Sequence, residues 1–482
     1  MKIFDIIYSD EFIISDINEN IDVGNLTTDI NNIREDSILI IPNSLKLPKE
    51  ISSAKIPLAV ICDLNAALPK CFPTIRVSNP RLALARAYYR FVGFDSEGIT
   101  MIGVTGTNGK TSTAEFIKTI LLASGQKVGF IGTGRIEING EILSDKYYSM
   151  TTPDPHILYP TLKKMKDTGC TAIVMEVSSH ALALDKVEPL KFDYGVFTNL
   201  SSEHMDFHRS LEEYFDSKNK LFKQCKKSIF NVDDEYARRA YDICSGEKIS
   251  AGIIWRGDVW ASNIENRGFD GISYIYHTDR FSFKMNLNVA GIYNAYNSML
   301  ATALCIDMGI RPCEAKRILG EIDRIPGRYE IINDEISVII DYAHTDSAFN
   351  NIMKELAALK GSKKLTVIFG CGGCRDKDKR PKMARIAEKY ADRIIITTDN
   401  SRTESPKEII ADIIKGFVSG SYRVIEDRTQ AIRTAIIEAD SADVIAIIGK
   451  GCEKYNIDNS GYHDFSERDI AISALKRRKA KV

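Results

Sequence analysis

The sequence predicts an α/β protein of three units: a small α/β N-terminal unit, a central parallel sheet built on a phosphate loop with an added antiparallel sheet, and a Rossmann-like C-terminal unit. Three observations carry this. Short β-branched runs alternate with helical patterns from residue 99 onward. A glycine-rich turn, Gly103-Val104-Thr105-Gly106-Thr107-Asn108-Gly109-Lys110-Thr111-Ser112-Thr113, joins one such run to an amphipathic stretch. Glycines at 93, 98 and 327 punctuate the chain, so the expected units are 1–98, 99–328 and 329–482.

Composition narrows the function classes. With 482 residues, 44% of them hydrophobic, the chain can bury several cores. A net charge of −1 gives no global attraction to nucleic acid, and Lys476-Arg477-Arg478-Lys479 reads as a solvated helix end. Asp5, Asp10 and Glu11 interrupt the apolar N-terminus, which argues against a signal peptide, and no apolar run approaches the roughly 20 residues of a membrane span. A cytoplasmic protein acting on small molecules, with neither nucleic-acid nor membrane partners, is expected. The ten cysteines lie mostly in apolar runs, as reduced buried thiols do; Cys371-Gly372-Gly373-Cys374 lacks a second pair or a histidine cluster to make it a metal or redox site.

In the first unit, Ile38–Ile41 and Ala59–Ile61 read as strands and Pro80–Phe91 as a helix. The central unit opens with Ile99–Thr105, and Lys127–Thr133, Thr171–Val177 and Tyr194–Thr198 add buried parallel strands. Gly271–Tyr276 and Phe281–Met285 alternate apolar with polar residues, which predicts antiparallel strands along one edge, before a helix that begins near Tyr293. The third unit offers Ser337–Asp341, Leu365–Phe369, Arg393–Thr397, Tyr422–Ile425 and Val444–Ile448 as strands.

The chemistry centres on the glycine-rich turn. Gly106 and Gly109 let the backbone N–H groups of Thr107, Asn108 and their neighbours approach phosphate oxygens, and the following helix start, with Ser112 in its first turn, adds partial positive charge. Lys110 is placed to reach the β- and γ-phosphates and Thr111 to hold a magnesium ion. The spacing is irregular: two residues separate Gly106 from Gly109, and five separate Gly103 from Gly109, where the general pattern has four. Further polar clusters follow predicted strands, where open α/β sheets hold ligands. Met175-Glu176-Val177-Ser178-Ser179-His180 is one; the run Thr198 to His208, with Glu203, His204, Asp206 and His208, is another.

Taken in order, Thr105-Gly106-Thr107-Asn108-Gly109-Lys110-Thr111, Glu176-Val177-Ser178-Ser179-His180, Thr198-Asn199-Leu200, Ser217-Lys218-Asn219-Lys220-Leu221-Phe222, Pro326-Gly327-Arg328 and Asp341-Tyr342-Ala343-His344 resemble the ordered signatures of the Mur ligase family. The resemblance runs from about residue 80 to the C-terminus and accounts for the irregular loop.

It implies an ATP- and magnesium-dependent amide ligase, expected to be monomeric, with one unit for a uridine nucleotide, one for ATP and one for the incoming amino acid. In such ligases a substrate carboxylate takes the γ-phosphoryl group to give an acyl phosphate, which an amine then attacks. Carried over by resemblance, Lys110 and Thr111 contact ATP phosphates and magnesium, and Glu176 and His204 position the metal. Asn297 contacts adenine, Arg328 is the interdomain arginine, and Asp341 and His344 lie at the ribose and nucleotide. Lys218 matches a lysine carried as a carbamate that ligates magnesium; its bland alternative is a solvated helix face. Thr151, Thr152, Ser179 and Lys186 fall where the growing substrate binds.

Asp399-Asn400-Ser401-Arg402 resembles the motif of members that add meso-diaminopimelate to the D-Glu carboxylate of UDP-MurNAc-L-Ala-D-Glu, and Arg375, Gly449 and Glu453 match the other contacts to that amino acid. The chain departs from the pattern at Ser401, Cys374, Cys452, Lys186 and Thr27-Thr28-Asp29-Ile30-Asn31. Two alternatives therefore stay open: a paralogue that joins an amino acid to another carboxylate, and a nucleotide-binding partner without catalysis.

Overall fold

The computed structural model describes residues 1–8, 12–15, 17, 21–42, 56–68, 71–144, 150–205 and 207–480. Its described strands fall into a five-stranded, an eleven-stranded and a six-stranded sheet and one two-stranded hairpin.

The first sheet runs in the order Phe12–Ser15, Thr74–Val77, Ala59–Asp63, Ser37–Ile40, Asn25–Thr27, all parallel except the first. Helix Pro80–Phe91 starts where Asn79 accepts the Leu82 N–H and proline occupies the first turn, and it ends two residues before Gly93, the glycine that had marked a boundary.

In the central sheet, seven mutually parallel strands run in the order Val128–Gly132, Ala172–Glu176, Thr100–Thr105, Phe192–Phe197, Cys225–Asn231, Glu247–Gly252, Val259–Asn266. Helix Lys110–Ala123 and helix Tyr293–Asp307 cover one face, packing Phe116, Ile117, Met299 and Leu300 against Ile102, Val104 and Val174. Burial of these side chains, each worth about 1.5–3 kcal/mol, fixes the phosphate-loop strand between two fully covered neighbours.

The expected antiparallel ribbon is present: Ile272–Thr278 and Ser282–Leu287 extend the sheet beyond Val259–Asn266. A second ribbon, not expected, decorates the opposite edge, where Arg135–Ile138 and Glu141–Ser144 pair antiparallel. Its turn is Asn139-Gly140, with φ of +54° and +85°, a two-residue hairpin signal that was in the sequence. Strands Cys225–Asn231 and Glu247–Gly252 were also not expected.

The third sheet runs Glu330–Asn333, Ser337–Asp341, Val444–Ile448, Leu365–Phe369, Arg393–Ile396, Arg423–Val424, parallel apart from the antiparallel first strand. Apolar clusters cover both faces, with Phe349, Met353 and Ile413 on one and Ile432, Ile436 and Leu475 on the other. All loops that carry its predicted site residues leave the C-terminal ends of its parallel strands.

Candidate active site

The phosphate loop is held by its neighbour strand. Gly106 and Gly109 have φ of +145° and +83°, and a Cβ at either would strike Thr198 Oγ1 at 1.9 Å or Asn297 Oδ1 at 2.4 Å. Asn199 accepts the Thr107 N–H on its backbone oxygen at 2.8 Å and the Asn108 N–H on Oδ1 at 2.9 Å, while Thr198 Oγ1 donates to Asn108 O at 2.6 Å. The Thr198-Asn199 pair therefore braces the loop, which leaves the first turn of helix Lys110–Ala123 to present its N–H groups.

Thr111 is the junction of the site. Its hydroxyl donates to Glu176 Oε2 at 2.9 Å and accepts from Arg328 Nη2 at 3.0 Å, so a helix start, a strand end and the segment leading to the third sheet meet on one oxygen. Glu176 is fully buried and also accepts from the Thr133 N–H at 2.9 Å and the Thr133 hydroxyl at 3.1 Å. Thr133 was missed by sequence reasoning; it lies in the turn that joins strand Val128–Gly132 to the unexpected ribbon.

Two cations converge on a single carbonyl. Lys110 Nζ is 3.0 Å from Gly106 O and Lys218 Nζ is 2.7 Å from the same oxygen. Lys218 is 1% exposed, which removes the solvated-helix alternative for this residue. Burial, reinforced by the charge of Lys110, pushes its amine well below the ordinary lysine range. Burial lowers Lys110 less, because Glu176 and Glu203 oppose it.

Glu203 accepts from Thr345 Oγ1 at 2.8 Å across the two units, and burial raises its carboxyl. Glu203 stood in the polar run after Thr198 without a role of its own, and Thr345 was not read as a site residue, though it could have been found as the N-cap of helix Asp346–Leu359 beside Asp341-Tyr342-Ala343-His344. His204 has a φ of +58°, and its ring stands edge-on to His180 at 5.0 Å. Desolvation by the protein atoms around it, then the charges of Lys110 and His180, push its imidazole down to about 2, which leaves it neutral. Asp206 lies outside the described residues.

The remaining nucleotide-side residues are close by. Asn297, 3% exposed, accepts from Thr113 Oγ1 at 3.3 Å. Arg328 lies over the Tyr342 ring at 4.3 Å. Asp341 accepts the N–H groups of Tyr329 and Ala343, both at 2.7 Å, and His344 is pushed down to about 4 by burial and then by Lys379.

The described part of the chain matches known families at this architecture. Residues 104–305 match the model of the Mur ligase middle domain, and residues 327–451 that of the Mur ligase, glutamate ligase domain. A UDP-N-acetylmuramoyl-L-alanyl-D-glutamate–2,6-diaminopimelate ligase from Clostridioides difficile (strain 630) is 37% identical over 487 residues, covering 96% of this chain and 99% of its own. The chain belongs to the Mur ligase family.

A ligase of the same description from Aquifex aeolicus (strain VF5) is 40% identical over 84% of this chain and 83% of its own. A solved structure of such a ligase superposes with a TM-score of 0.67 at 25% identity, covering 99% of both chains. A folylpolyglutamate synthase from Mycobacterium tuberculosis shares the fold, with a TM-score of 0.63 at 16% identity, over 76% of this chain and 92% of its own. The resemblance expected from about residue 80 onward thus reaches into the first unit of this Mur ligase.

Around the predicted acceptor site, side chains are engaged with one another. Thr152 Oγ1, 2% exposed, donates to Glu176 O at 2.9 Å, and Thr151 Oγ1 lies 3.1 Å from Thr133 Oγ1. Ser179 Oγ sits 3.0 Å from His208 Nε2, and Lys186 pairs with Asp154 at 2.6 Å. In the first unit Asp29 caps its own turn, accepting from Asn31 and Asn32.

At the third sheet's strand ends, Asn400 Nδ2 donates to Glu453 Oε2 at 2.8 Å. Arg402, with a φ of +54°, donates to Gly373 O at 3.0 Å, and hairpin residue Ile457 accepts the Arg402 N–H at 3.0 Å. Gly449, with a φ of +129°, places its Cα against Asp399, so that an added Cβ would lie 3.1 Å from Oδ2. Arg375 is exposed beside Cys374. Cys371 is buried against Met383 while Cys374 is exposed beside Thr403, and all ten cysteines are free thiols.

Thr111 and Glu176 offer the hard oxygen pair that magnesium takes when phosphates supply the rest of its shell. Among the described residues no three His, Cys, Asp or Glu side chains gather as a metal cage, and no helix is long and apolar enough to cross a membrane.

Proposed function

We propose that this Mur ligase is an ADP-forming enzyme that adds an amino acid, meso-diaminopimelate, to the D-Glu carboxylate of UDP-MurNAc-L-Ala-D-Glu in peptidoglycan precursor synthesis. The observation that carries this is the meeting of Glu176, Arg328 and the phosphate-loop Thr111 on one hydroxyl, with the charge-bearing loops of the third sheet beyond it. Residues 1–98 take the uridine nucleotide, 99–328 take ATP and 329–482 take the amino acid.

Magnesium ATP supplies a phosphoryl group whose transfer activates the acceptor carboxylate. Lys110, Gly106 to Ser112 and Arg328 orient the phosphates and stabilise the oxygen charge that develops, the largest catalytic contribution expected of such a site. Asn297, Asp341 and His344 hold the nucleoside, and Thr151, Thr152, Ser179 and Lys186 shape the acceptor side. Thr111, Glu176 and neutral His204 hold magnesium, directly or through water.

Lys218 joins them as a carbamate. Its uncharged amine adds to carbon dioxide and releases one proton to solvent, so an N–C bond replaces an N–H bond and a neutral amine becomes an anionic oxygen ligand. Burial beside Lys110 supports this, since the ammonium form is disfavoured there and the carbamate's negative charge is welcomed.

Arg402 grips the distal carboxylate of the amino acid in a planar fork, with Arg375, Asn400, Gly449 and Glu453 around it. The enzyme acts as a monomer in the cytoplasm on small-molecule substrates.

The test is direct. Purified protein is incubated with ATP, magnesium, UDP-MurNAc-L-Ala-D-Glu and either meso-diaminopimelate or L-lysine, and ADP release and product mass are followed. A diaminopimelate adduct is expected; no product with either amino acid, from protein that still binds ATP, sinks the assignment.

A further inference from the structure

Two loops of the third sheet, those after Arg393–Ile396 and Val444–Ile448, meet at a buried lysine. Lys450, in the loop after strand Val444–Ile448, is fully buried. Its Nζ lies 2.8 Å from Asn400 Oδ1, 3.2 Å from Glu453 Oε2 and 3.5 Å from Asp399 Oδ1. The shortest contact goes to a neutral amide oxygen and the longest to a carboxylate, the reverse of what simple charge pairing would select.

The amide of Asn400 is thereby fixed. Its Oδ1 accepts from the Lys450 ammonium and from the Ile457 N–H at 2.9 Å, while its Nδ2 donates to Glu453 Oε2 at 2.8 Å. A flipped amide would set NH2 against two donors and its oxygen against a carboxylate. Glu453 Oε2 receives both Lys450 and Asn400, whereas among the described residues Oε1 takes one long hydrogen bond, 3.5 Å from the Tyr342 hydroxyl. The nearby Arg428 pairs with Glu467 at 2.7 Å, so Lys450 is left to face two carboxylates, Asp399 and Glu453.

We propose that Lys450 is a positioning residue for the incoming amino acid: it locks the Asn400 amide and one oxygen of Glu453, so that the other oxygen is set to receive an ammonium group of an amino acid whose carboxylate Arg402 takes. This rests on the amino-acid site lying at these strand ends. Lys450 touches no substrate; it acts through Asn400 and Glu453.

The experiment compares Lys450→Met, Lys450→Gln, Asn400→Ala and the double variant Asn400→Ala/Lys450→Met. It measures the KM for meso-diaminopimelate, the KM for ATP, kcat and thermal stability. Loss of a charge-assisted hydrogen bond predicts a rise in amino-acid KM of about ten- to a hundredfold for Lys450→Met, with the ATP KM moving less than about twofold. Lys450→Gln, which keeps a donor without the charge, falls between wild type and Lys450→Met and carries the comparison if Lys450→Met does not fold. The double variant is expected to be no worse than the poorer single variant, because the lysine acts through the amide.

An unchanged amino-acid KM in the Lys450 variants, with Asn400→Ala raising it, overturns the positioning role and leaves the pocket standing. Equal rises in the KM for ATP and for the amino acid overturn it as well, as does a double variant equal to the product of the singles. An unchanged amino-acid KM in Asn400→Ala overturns the pocket assignment beneath it.

Discussion

Around the phosphate loop, Lys110 and Lys218 crowd onto the carbonyl oxygen of Gly106, and the two acids facing them, Glu176 and Glu203, are engaged with hydroxyl groups. At the strand ends of the third sheet, each buried cation has its own acid: Arg428 has Glu467, Arg380 has Glu404 and Asp412, and Lys450 has Asp399 and Glu453. Two amines gathered on one carbonyl in a low-dielectric pocket disfavour each other's ammonium form, a strain relieved by a polyanion beside Lys110 and by carbamate formation at Lys218. Matched charges stiffen a pocket ahead of its ligand and select by shape and hydrogen-bond direction. The first arrangement suits triphosphate chemistry, and the second suits recognition of an amino acid.

The sharpest way to break this contrast is to remove one member of each set. Lys110→Met is expected to lower kcat/KM by at least about a thousandfold, since it removes charge aimed at the transferring phosphoryl group, and steady-state kinetics at saturating amino acid would show it. Arg428→Met strands Glu467, whose side chain is 0% exposed, and a loss of about 3–5 kcal/mol in denaturant unfolding is expected. If Lys110→Met instead cost the larger share of stability, the phosphate loop would be the preorganised site and the contrast would fail. Arg402→Met is expected to raise the amino-acid KM by about ten- to a hundredfold while leaving the KM for ATP in place, because it removes a bidentate contact to one substrate.

The smallest effect lies at the seam between the two sites. Glu355, on helix Asp346–Leu359, is raised to about 7 by burial and then by Asp341, and its Oε1 has no hydrogen-bond partner among the described residues. A carboxyl raised in the folded state binds a proton there that the unfolded chain has already released. Its contribution is therefore fully present below pH about 4.5 and is lost as pH rises through about 7. The full shift would be worth about 3 kcal/mol, and partial solvent access brings the expectation to about 1 kcal/mol. Glu355→Gln should flatten the pH dependence of unfolding between these values, making the variant the more stable protein at pH 8; a wild-type slope retained by the variant would assign that dependence elsewhere.

Much of the scaffold was legible because its signals are local. Helix Pro80–Phe91 and strands Ser337–Asp341, Leu365–Phe369 and Val444–Ile448 lie where apolar runs and caps put them. Cys225–Asn231 escaped because its first three residues are not buried, leaving an apolar signal too short to stand out. Arg135–Ile138 and its partner had the Asn139-Gly140 turn, but each strand is only four residues long and interrupted by charge.

In the site, the phosphate loop announces itself because backbone geometry and a following helix are written in consecutive residues. Glu203 with Thr345, and Lys450 with Asn400, are pairings 142 and 50 residues apart, so Thr345 alone looks like an ordinary cap and Lys450 like an ordinary surface charge. Burial turned them into site residues, and burial is a property of the whole chain.

Gly327 stands immediately before Arg328 with a φ of +63°, and a Cβ there would lie 2.0 Å from the backbone nitrogen of Cys452. The segment that reaches for the phosphate loop and the loop that carries Glu453 therefore touch backbone to backbone, with no side chain between them. For an engineer this is a seam one methyl group wide. A wedge placed at that seam leaves Lys110, Glu176, Asn400 and Arg402 chemically intact while parting the surfaces that must meet, which separates the holding of substrates from their joining.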